Sequence, residues 1–259
     1  MRAGSTYRER NSTADKALDI LMMFDDQHLT LSAVDVARQL GVARSTAYRY
    51  LQSLVGTQFL EEADGGGYRL GRRVLELARL ARRGLGLSEA ARPVMKRLAA
   101  EVGETVLLTR LAGTMVICLE REDAASGAVR ISYERGEILP INAGASAYVL
   151  LAWLPGQQID SVLNGVRFHA FTDRTITTKR DLLRRLAQTR EHGFADSRGE
   201  LDRDVVGVAA PVRNGDDTVV AAVSIAAVSA HVPDDRLPEL AEAVRDAAGE
   251  VSAALALQD

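Results

Sequence analysis

The chain has 259 residues, 47% of them hydrophobic and 26% charged, with a formal net charge of −3. This composition is typical of a globular protein that buries a substantial core, and the length allows one large domain or two of ordinary size. The one cysteine, Cys118, excludes a disulfide within the chain and a cysteine-based metal cluster. No apolar segment follows the first basic residues, and the longest uncharged run, residues 138–159, contains two prolines. We therefore expect no secretory signal, no membrane span and a cytoplasmic protein.

Positive charge is concentrated near the N-terminus. Residues 1–83 hold 13 Lys and Arg against 10 Asp and Glu, a net charge of +3, and the rest of the chain carries −6. Between Asp35 and Glu61 there is no acidic residue, whereas Arg38, Arg44 and Arg49 lie in that interval. A surface patch of one sign indicates a polyanionic partner, so contact with nucleic acid is expected in the N-terminal third.

Three helices are predicted in this N-terminal part. The first begins near Ala14, the second begins at a capping-box-like Ser32–Asp35 and ends at Gly41, and the third begins near Ala43. Ala37 is small enough for two helices to cross closely, and Gly41 permits the turn between them, as a helix-turn-helix requires. The buried face of the third helix is predicted to consist of Ala47, Leu51 and Leu54.

A β-hairpin is predicted directly after the third helix. Two short extended runs flank the turn residues 63–67, and a hairpin in this place makes the helix-turn-helix a winged one. The third helix is then expected to enter a DNA major groove, with Tyr68 and Arg69 of the hairpin beside the backbone or the minor groove. The alternative to DNA contact is that Tyr48 packs in the protein core and that Arg49 is an ordinary solvent-exposed arginine. The predicted DNA-binding residues are Arg38, Arg44, Ser45, Thr46, Tyr48, Arg49, Ser53, Tyr68 and Arg69.

Residues 71–87 are predicted to form a basic amphipathic helix. Its apolar stripe includes Val74, Leu75 and Leu77, and a helix this apolar between two domains needs a partner surface. Packing against a second copy of the chain is the interpretation we favour. The alternative is a helix buried on its own C-terminal domain.

From Ser88 onward, helices alternate with hairpin-forming strands. Helices are predicted for residues 88–103, from Ala145, for 178–193 and for the C-terminus, and strands for 105–111, 114–120, 129–134 and both sides of residues 214–217. This mixed order indicates an α+β domain built on an antiparallel sheet.

The chain resembles the IclR family of bacterial transcription regulators over nearly all of residues 12–256. The resemblance rests on stretches such as "ARSTAYRYLQSL", "GGGYRLGRRVLEL", "GEILPINAGASAYVLLAWLP" and "EHGFADSRGEL", in this order and spacing. It implies a winged helix-turn-helix domain at 12–71, a dimerising linker helix at 72–87 and a GAF-like effector-binding domain at 88–257. It also implies dimers or dimers of dimers on palindromic double-stranded DNA operators, controlled by small organic acids or aromatic metabolites.

The resemblance also implies an effector pocket between the sheet and the helix after the proline turn. The backbone N–H groups of Ala145 and Ser146 open that helix, and a helix start of this kind binds carboxylates. The mapped pocket residues are Leu139, Ile141, Ala145, Ser146, Ser197, Gly207, Ser224 and Ala226.

Two departures from the family pattern bear on the ligand. Many members carry Gly-Lys where this chain has Ala147-Tyr148, and some carry an acid and a cysteine where it has Ser197 and Gly207. A less polar, larger pocket follows, which favours a bulkier and aromatic effector. The alternative is that Ser197 only caps a strand end and Gly207 forms a bulge.

No catalytic residue, cofactor site or metal site is predicted. The chain lacks Gly-x-Ser-x-Gly, Ser-x-x-Lys and His-Glu-x-x-His motifs, and its four histidines are scattered. The sequence therefore predicts a ligand-responsive transcriptional regulator of a catabolic operon, controlled by a small organic acid. Repression is favoured over activation, because occupancy alone blocks a promoter, but the sequence does not decide between the two. The alternatives are a small-molecule-binding enzyme with an accessory DNA-binding head and an architectural DNA-binding protein, and the non-basic two-thirds of the chain argue against the latter.

Overall fold

The structure, a computed structural model, describes residues 13–25, 27–83, 86–124 and 133–257. It divides into two compact units, Met1–Ala81 and Arg82–Asp259. None of the helices in the described ranges is both long enough and apolar enough to cross a membrane.

The first unit is a winged helix-turn-helix, as predicted. Its core packs Ile20, Val36, Leu51 and Leu60 together with neighbouring apolar side chains. Its elements are α1 (Thr13–Leu21), α2 (Ala33–Leu40), α3 (Arg44–Gly56), β1 (Leu60–Glu62) and β2 (Tyr68–Leu70), and α4 (Arg72–Arg83) begins in it.

Local signals set the ends of α2 as the sequence predicts. The Ser32 hydroxyl accepts a hydrogen bond from the Asp35 N–H at 3.2 Å, which satisfies a free donor of the first turn. Gly41 ends the helix in the left-handed region at φ 62°. The predicted buried residues of α3, namely Ala47, Leu51 and Leu54, are buried.

The wing is a two-stranded hairpin reinforced by a third segment. Leu60 pairs with Leu70 and Glu62 with Tyr68 in the antiparallel β1–β2 ladder. Leu31, just before α2, adds a bridge to Tyr68, with N–H to C=O distances of 2.9 and 2.8 Å. The Tyr68 side chain is only 7% exposed and belongs to the core of the unit.

Gly71 joins the wing to α4 at a point where no side chain fits. A Cβ at this position lies 2.4 Å from the Gln58 carbonyl oxygen, which is backbone and cannot rotate away. We expect Gly71→Ala to destabilise the first unit by about 3 kcal/mol, measured as a lower midpoint of its thermal unfolding in the full chain. Gly65→Ala in the same wing is the matched control, because nothing lies within 4 Å of its Cβ. Equal midpoints for the two variants would contradict the close approach.

The second unit is an α+β domain with a six-stranded antiparallel sheet, also as predicted. The strand order is β5-β4-β3-β8-β7-β6. The strands are β3 (Thr105–Ala112), β4 (Met115–Glu122), β5 (Ile138–Leu139), β6 (Ala195–Arg198), β7 (Val205–Arg213) and β8 (Val219–Val228). The helices are α5 (Leu87–Val102), α6 (Ala145–Ala152), α7 (Gly156–Leu163), α8 (Lys179–His192) and α9 (Leu237–Ala256), with a short 3-10 turn at Ser229–His231.

The two faces of this sheet carry different helix layers. Side chains alternate between the faces along each strand, so Val223 and Ile225 of β8 pack under α5 and α9, while Ala222 packs under α6 and α8. Ser224 and Ala226 share the face of Ala222, as does Gly207 on β7. The strand register therefore places the small residues of two strands below α6.

Several predicted elements need correction. The predicted strand 129–134 falls largely outside the described residues, and Tyr133 and Glu134 are not in a strand because the chain turns at Gly136, with φ 87°. The last strand before α6 is β5 instead. The helix predicted for 71–87 covers Arg72–Arg83, and residues 84 and 85 lie outside the described part. The sequence analysis did not predict α7 or β6.

Candidate functional site

The outer face of α3 presents unpaired positive charge. Arg44, Ser45 and Arg49 are exposed, and half of the Tyr48 surface is accessible at 51%. Neither Arg44 nor Arg49 forms an ion pair with a described residue. Ala43, at the N-cap, supplies no side-chain hydrogen bond, and the first turn holds no acid. The start of α3 thus combines free N–H groups, the positive end of the helix dipole and a guanidinium, an arrangement suited to phosphate.

The other predicted DNA-binding residues differ in their surroundings. Arg38 pairs with Asp35 at 3.2 Å, and Arg69 pairs across the hairpin with Glu61 at 2.7 Å. Ser53 is exposed and donates to the Arg49 carbonyl, while Thr46 is half-buried. The Tyr68 side chain is 7% exposed and packs in the core of the unit, so it does not lie on the surface expected to face DNA. Arg44 and Arg49 are the two predicted arginines with no charged partner among the described residues.

A cavity lies in the second unit, between the sheet and the start of α6. Its volume, counted as space for the centres of water-sized molecules, is about 50 Å³. A single water needs about 10–15 Å³ by this measure, so the cavity has room for a small organic molecule. Of the eight predicted pocket residues, seven line it, namely Leu139, Ala145, Ser146, Ser197, Gly207, Ser224 and Ala226.

Ile141 does not line the cavity. It is 3% exposed and belongs to the apolar core around α6 and α8. The neighbouring Asn142 is held by hydrogen bonds from its amide to the carbonyls of His169 and Ile176, at 3.0 and 2.8 Å. These contacts fix the turn before α6, so the turn presents Pro140, Ala143 and Gly144 to the cavity.

Serine hydroxyls form the polar part of the cavity wall. The Ser146 hydroxyl donates to that of Ser224 at 3.0 Å, and the Ser197 hydroxyl accepts from the Ala145 N–H at 3.2 Å. Gly207 pairs in register with both Ser197 and Ala226, so it does not form a bulge. A Cβ at Gly207 would lie 2.8 Å from the Ser197 hydroxyl oxygen, so a glycine is what leaves this wall open.

The cavity wall also contains an acid that was not predicted from the sequence. Glu200 lines the cavity, and its Oε2 accepts hydrogen bonds from the Gly144 N–H at 3.1 Å and from the Tyr148 hydroxyl. Asp202 lies further along the same wall. The expectation of a less polar pocket is therefore incomplete, because Glu200 supplies an acid three residues after Ser197. No local pattern marks Glu200, since its partners lie more than fifty residues earlier in the chain.

Burial governs the ionisation of the groups beside the cavity. Desolvation raises the pKa of the Glu200 carboxyl above its usual range, although the hydrogen bonds from Tyr148 and Gly144 and the charge of Arg185 oppose the rise. Burial, the Glu200 charge and the Glu200 hydrogen bond all raise the pKa of Tyr148. Burial also raises the pKa of the Cys118 thiol to about 12, so this cysteine stays protonated and unreactive.

The described residues hold no group of three or more His, Cys, Asp or Glu side chains placed to bind a metal ion. The two sites are suited to binding: one unit has an exposed basic helix, and the other has a cavity with hydroxyl, amide and carboxylate groups.

Two family models match this chain. One is described as "Bacterial transcriptional regulator IclR C-terminal" and matches residues 80–253, and the other, "IclR helix-turn-helix domain", matches residues 13–64. The chain is 30% identical to the HTH-type transcriptional regulator XynR of Escherichia coli, over 94% of this chain and 96% of XynR. It is 31% identical to the HTH-type transcriptional regulator KipR of Bacillus subtilis, over 95% of this chain and 97% of KipR.

Solved structures give the same result. An IclR homolog from Microbacterium hydrocarbonoxydans, crystallised in complex with 4-hydroxybenzoate, superposes with a TM-score of 0.81 at 27% identity. The match covers 94% of this chain and 99% of that one.

Proposed function

Since this chain belongs to the IclR family of bacterial transcriptional regulators, we propose that it is a repressor released from its operator by a small aromatic acid. The observation that carries the proposal is the cavity at the start of α6, which is walled by Ser146, Ser197 and Ser224 and kept open by Gly207. The 4-hydroxybenzoate complex of the Microbacterium homolog supports an aromatic acid as the ligand.

In this proposal α3 reads the operator. Arg44, Ser45, Thr46, Tyr48 and Arg49 contact bases and phosphates in the major groove, because the first turns of a recognition helix lie nearest the base edges. Arg38, Ser53 and Arg69 contact the flanking backbone. The domain roles are those expected from the sequence, with DNA binding at 12–71, a linker at 72–87 and effector binding at 88–257. The protein acts in the cytoplasm and catalyses no reaction.

A ligand panel tests the effector assignment. The full chain is titrated calorimetrically with benzoate, 4-hydroxybenzoate, glyoxylate and acetate. We expect an aromatic acid to bind with a dissociation constant in the micromolar range, about −8 kcal/mol, and the two-carbon acids to bind far more weakly. Tight binding of a two-carbon acid with inert benzoates would refute the aromatic assignment.

We also propose that α4 joins two copies of the chain. Leu75 is 72% exposed and Leu77 41% exposed on this helix, and a palindromic operator requires two recognition helices about 34 Å apart. A second copy of the chain, packed against α4, covers these leucines and also supplies the second recognition helix.

Leu75→Asp is expected to weaken self-association at least about tenfold, because it places a charge in the apolar contact between copies. Analytical ultracentrifugation measures the change as a shift toward the mass of one chain. Leu29→Asp is the matched control, since Leu29 is 71% exposed and lies outside α4. The same mass distribution for both variants would refute an interface at Leu75.

A further inference from the structure

The start of α6 is already occupied by a carboxylate of the chain itself. Glu200 Oε2 accepts from the Gly144 N–H, next to the N–H groups that the sequence analysis assigned to an effector carboxylate. The same oxygen accepts from the Tyr148 hydroxyl one turn further on. No described residue donates to the other oxygen, Oε1. An incoming carboxylate therefore meets a carboxylate at the position that suits it best.

The backbone of Glu200 is fixed in place. The Thr172 hydroxyl donates to the Gly199 carbonyl at 2.6 Å, and the Thr175 hydroxyl donates to the Glu200 carbonyl at 2.6 Å. Gly199 has φ 65°, and a Cβ there would lie 2.9 Å from the Arg203 carbonyl oxygen. Glu200 is thus held at the cavity by a constrained turn, unlike an acid on a loose surface loop.

Among the described residues, the cation that faces Glu200 is already engaged with another acid. Tyr148 faces it from α6, Arg185 from α8 and Asp196 from β6. Arg185 is engaged with Asp196 at 2.6 Å and stacks over the Tyr148 ring at 5.6 Å. Among the described lining residues the only charged side chains are the two acids Glu200 and Asp202. Asp202 is exposed, so Glu200 is the acid of the wall that burial desolvates, and burial disfavours its charged form.

Donor protons in the same cavity lack acceptors. The Ser146 hydroxyl donates to the Ser224 hydroxyl. The proton of the Ser224 hydroxyl is then left to find another acceptor. The Ser197 hydroxyl accepts from Ala145 but donates to no described acceptor, and the Ser146 N–H has none either. The three serines are 4 to 8% exposed. A carboxylate in this cavity would offer acceptor oxygens to these donors.

We propose that Glu200 is a proton-linked gate, so that a carboxylate effector binds this cavity together with one proton that Glu200 takes from solvent. Charged Glu200 repels the anion. Protonated Glu200 keeps an acceptor oxygen for Gly144 and adds a donor, while the total charge of the site stays that of the unliganded state. The inference rests on the proposed function, because it concerns how the acid effector of that site binds.

The sign of the pH dependence follows from this linkage. The burial that raises the pKa of Glu200 favours its neutral form in the folded protein. A ligand that requires this form binds best below the pKa and loses affinity above it, by up to about tenfold per pH unit. The carboxyl of 4-hydroxybenzoate stays ionised above about pH 6, so the loss reports on the protein.

The test is calorimetric titration of the full chain with 4-hydroxybenzoate between about pH 6 and about pH 8.5. Each titration is repeated in two buffers of different ionisation enthalpy, which gives the number of protons taken up. For the native sequence we expect affinity to fall steadily with pH and about one proton to be bound per ligand.

Glu200→Gln keeps the size and an acceptor oxygen but removes the titrating group. We expect it to bind independently of pH, with proton uptake near zero and an affinity at least about tenfold above that of the native sequence at the alkaline end. Glu191→Gln, at an exposed position of α8, is the matched control and is expected to behave as the native sequence does. Tyr148→Phe removes a hydrogen-bond donor that stabilises charged Glu200, which raises the pKa of Glu200. The fall in effector affinity is therefore expected at higher pH. This variant tests the inference if Glu200→Gln does not fold.

Three outcomes overturn the inference, and they differ in what else they affect. Binding with the same affinity at every pH in both the native sequence and Glu200→Gln removes the gate and leaves the effector site. If effector affinity falls over the same pH range in Tyr148→Phe as in the native sequence, the gate is likewise removed and the effector site remains. Absence of binding of every aromatic acid to both proteins at any pH removes the proposed effector site and the gate with it.

Discussion

Replacing both Arg44 and Arg49 by alanine is expected to weaken operator binding by about a hundredfold or more. Each exposed guanidinium meets a phosphate or a guanine edge in the proposed complex, and a contact of this kind contributes about 1–3 kcal/mol. Neither side chain has a charged partner among the described residues, so removing them leaves no orphaned acid and the fold is expected to be unchanged. Gel-shift titrations across salt concentrations measure both effects.

The salt dependence separates phosphate contacts from base contacts. If both arginines meet phosphates, the slope of log affinity against log salt becomes shallower by about 1.8. An unchanged slope with lost affinity assigns them to base readout. Arg180→Ala is the matched control, since Arg180 is an exposed arginine on α8 in the other unit and its side chain is 84% exposed. Equal operator affinity for the double variant and this control would contradict the role of α3.

Replacing Gly207 by valine is expected to weaken effector binding strongly while sparing DNA binding. The first added carbon lies 2.8 Å from the Ser197 hydroxyl and 3.5 Å from the Ala145 Cβ, and the remaining carbons enter a cavity of about 50 Å³. Overpacking of this kind costs about 1–3 kcal/mol, so we expect effector affinity to fall about 10- to 100-fold. Calorimetric titration with 4-hydroxybenzoate measures the loss, and a gel shift measures operator binding.

Two further variants show whether the collision is the cause. Gly207→Ala is expected to lose less affinity than Gly207→Val, because it adds one carbon and the Ser197 hydroxyl can rotate. Adding Ser197→Ala to Gly207→Ala removes the atom that the new Cβ meets, so part of the lost affinity is expected to return. Gly207→Val with native effector affinity would refute the cavity as the binding site.

The first unit was predictable because its signals are local. The Ser32 cap, the Gly41 turn and the α3 face of Ala47, Leu51 and Leu54 each depend on residues within about two helical turns. The same reasoning did not reveal the burial of Tyr68. A short hairpin has two faces, and which of them is buried depends on packing against side chains from other parts of the unit.

The cavity was predictable only in part. The family resemblance places Gly207, Ser224 and Ala226 in one wall of the pocket, and in the structure they lie together. Glu200 was missed because its role depends on a contact with the start of α6, which no spacing in the sequence records. Ile141 was misplaced for the opposite reason, since a residue beside the pocket in sequence turns its side chain into the core.

The most direct test of α3 and of the cavity together is a gel shift with DNA from upstream of the protein's own coding sequence. The native chain and Gly207→Val are each titrated with and without an aromatic acid. We expect a specific shift for both proteins and expect the acid to release DNA from the native chain alone. A specific shift that no acid releases from the native chain would contradict the effector cavity. Binding to this DNA that is no stronger than binding to unrelated DNA would contradict the role of α3 in operator recognition.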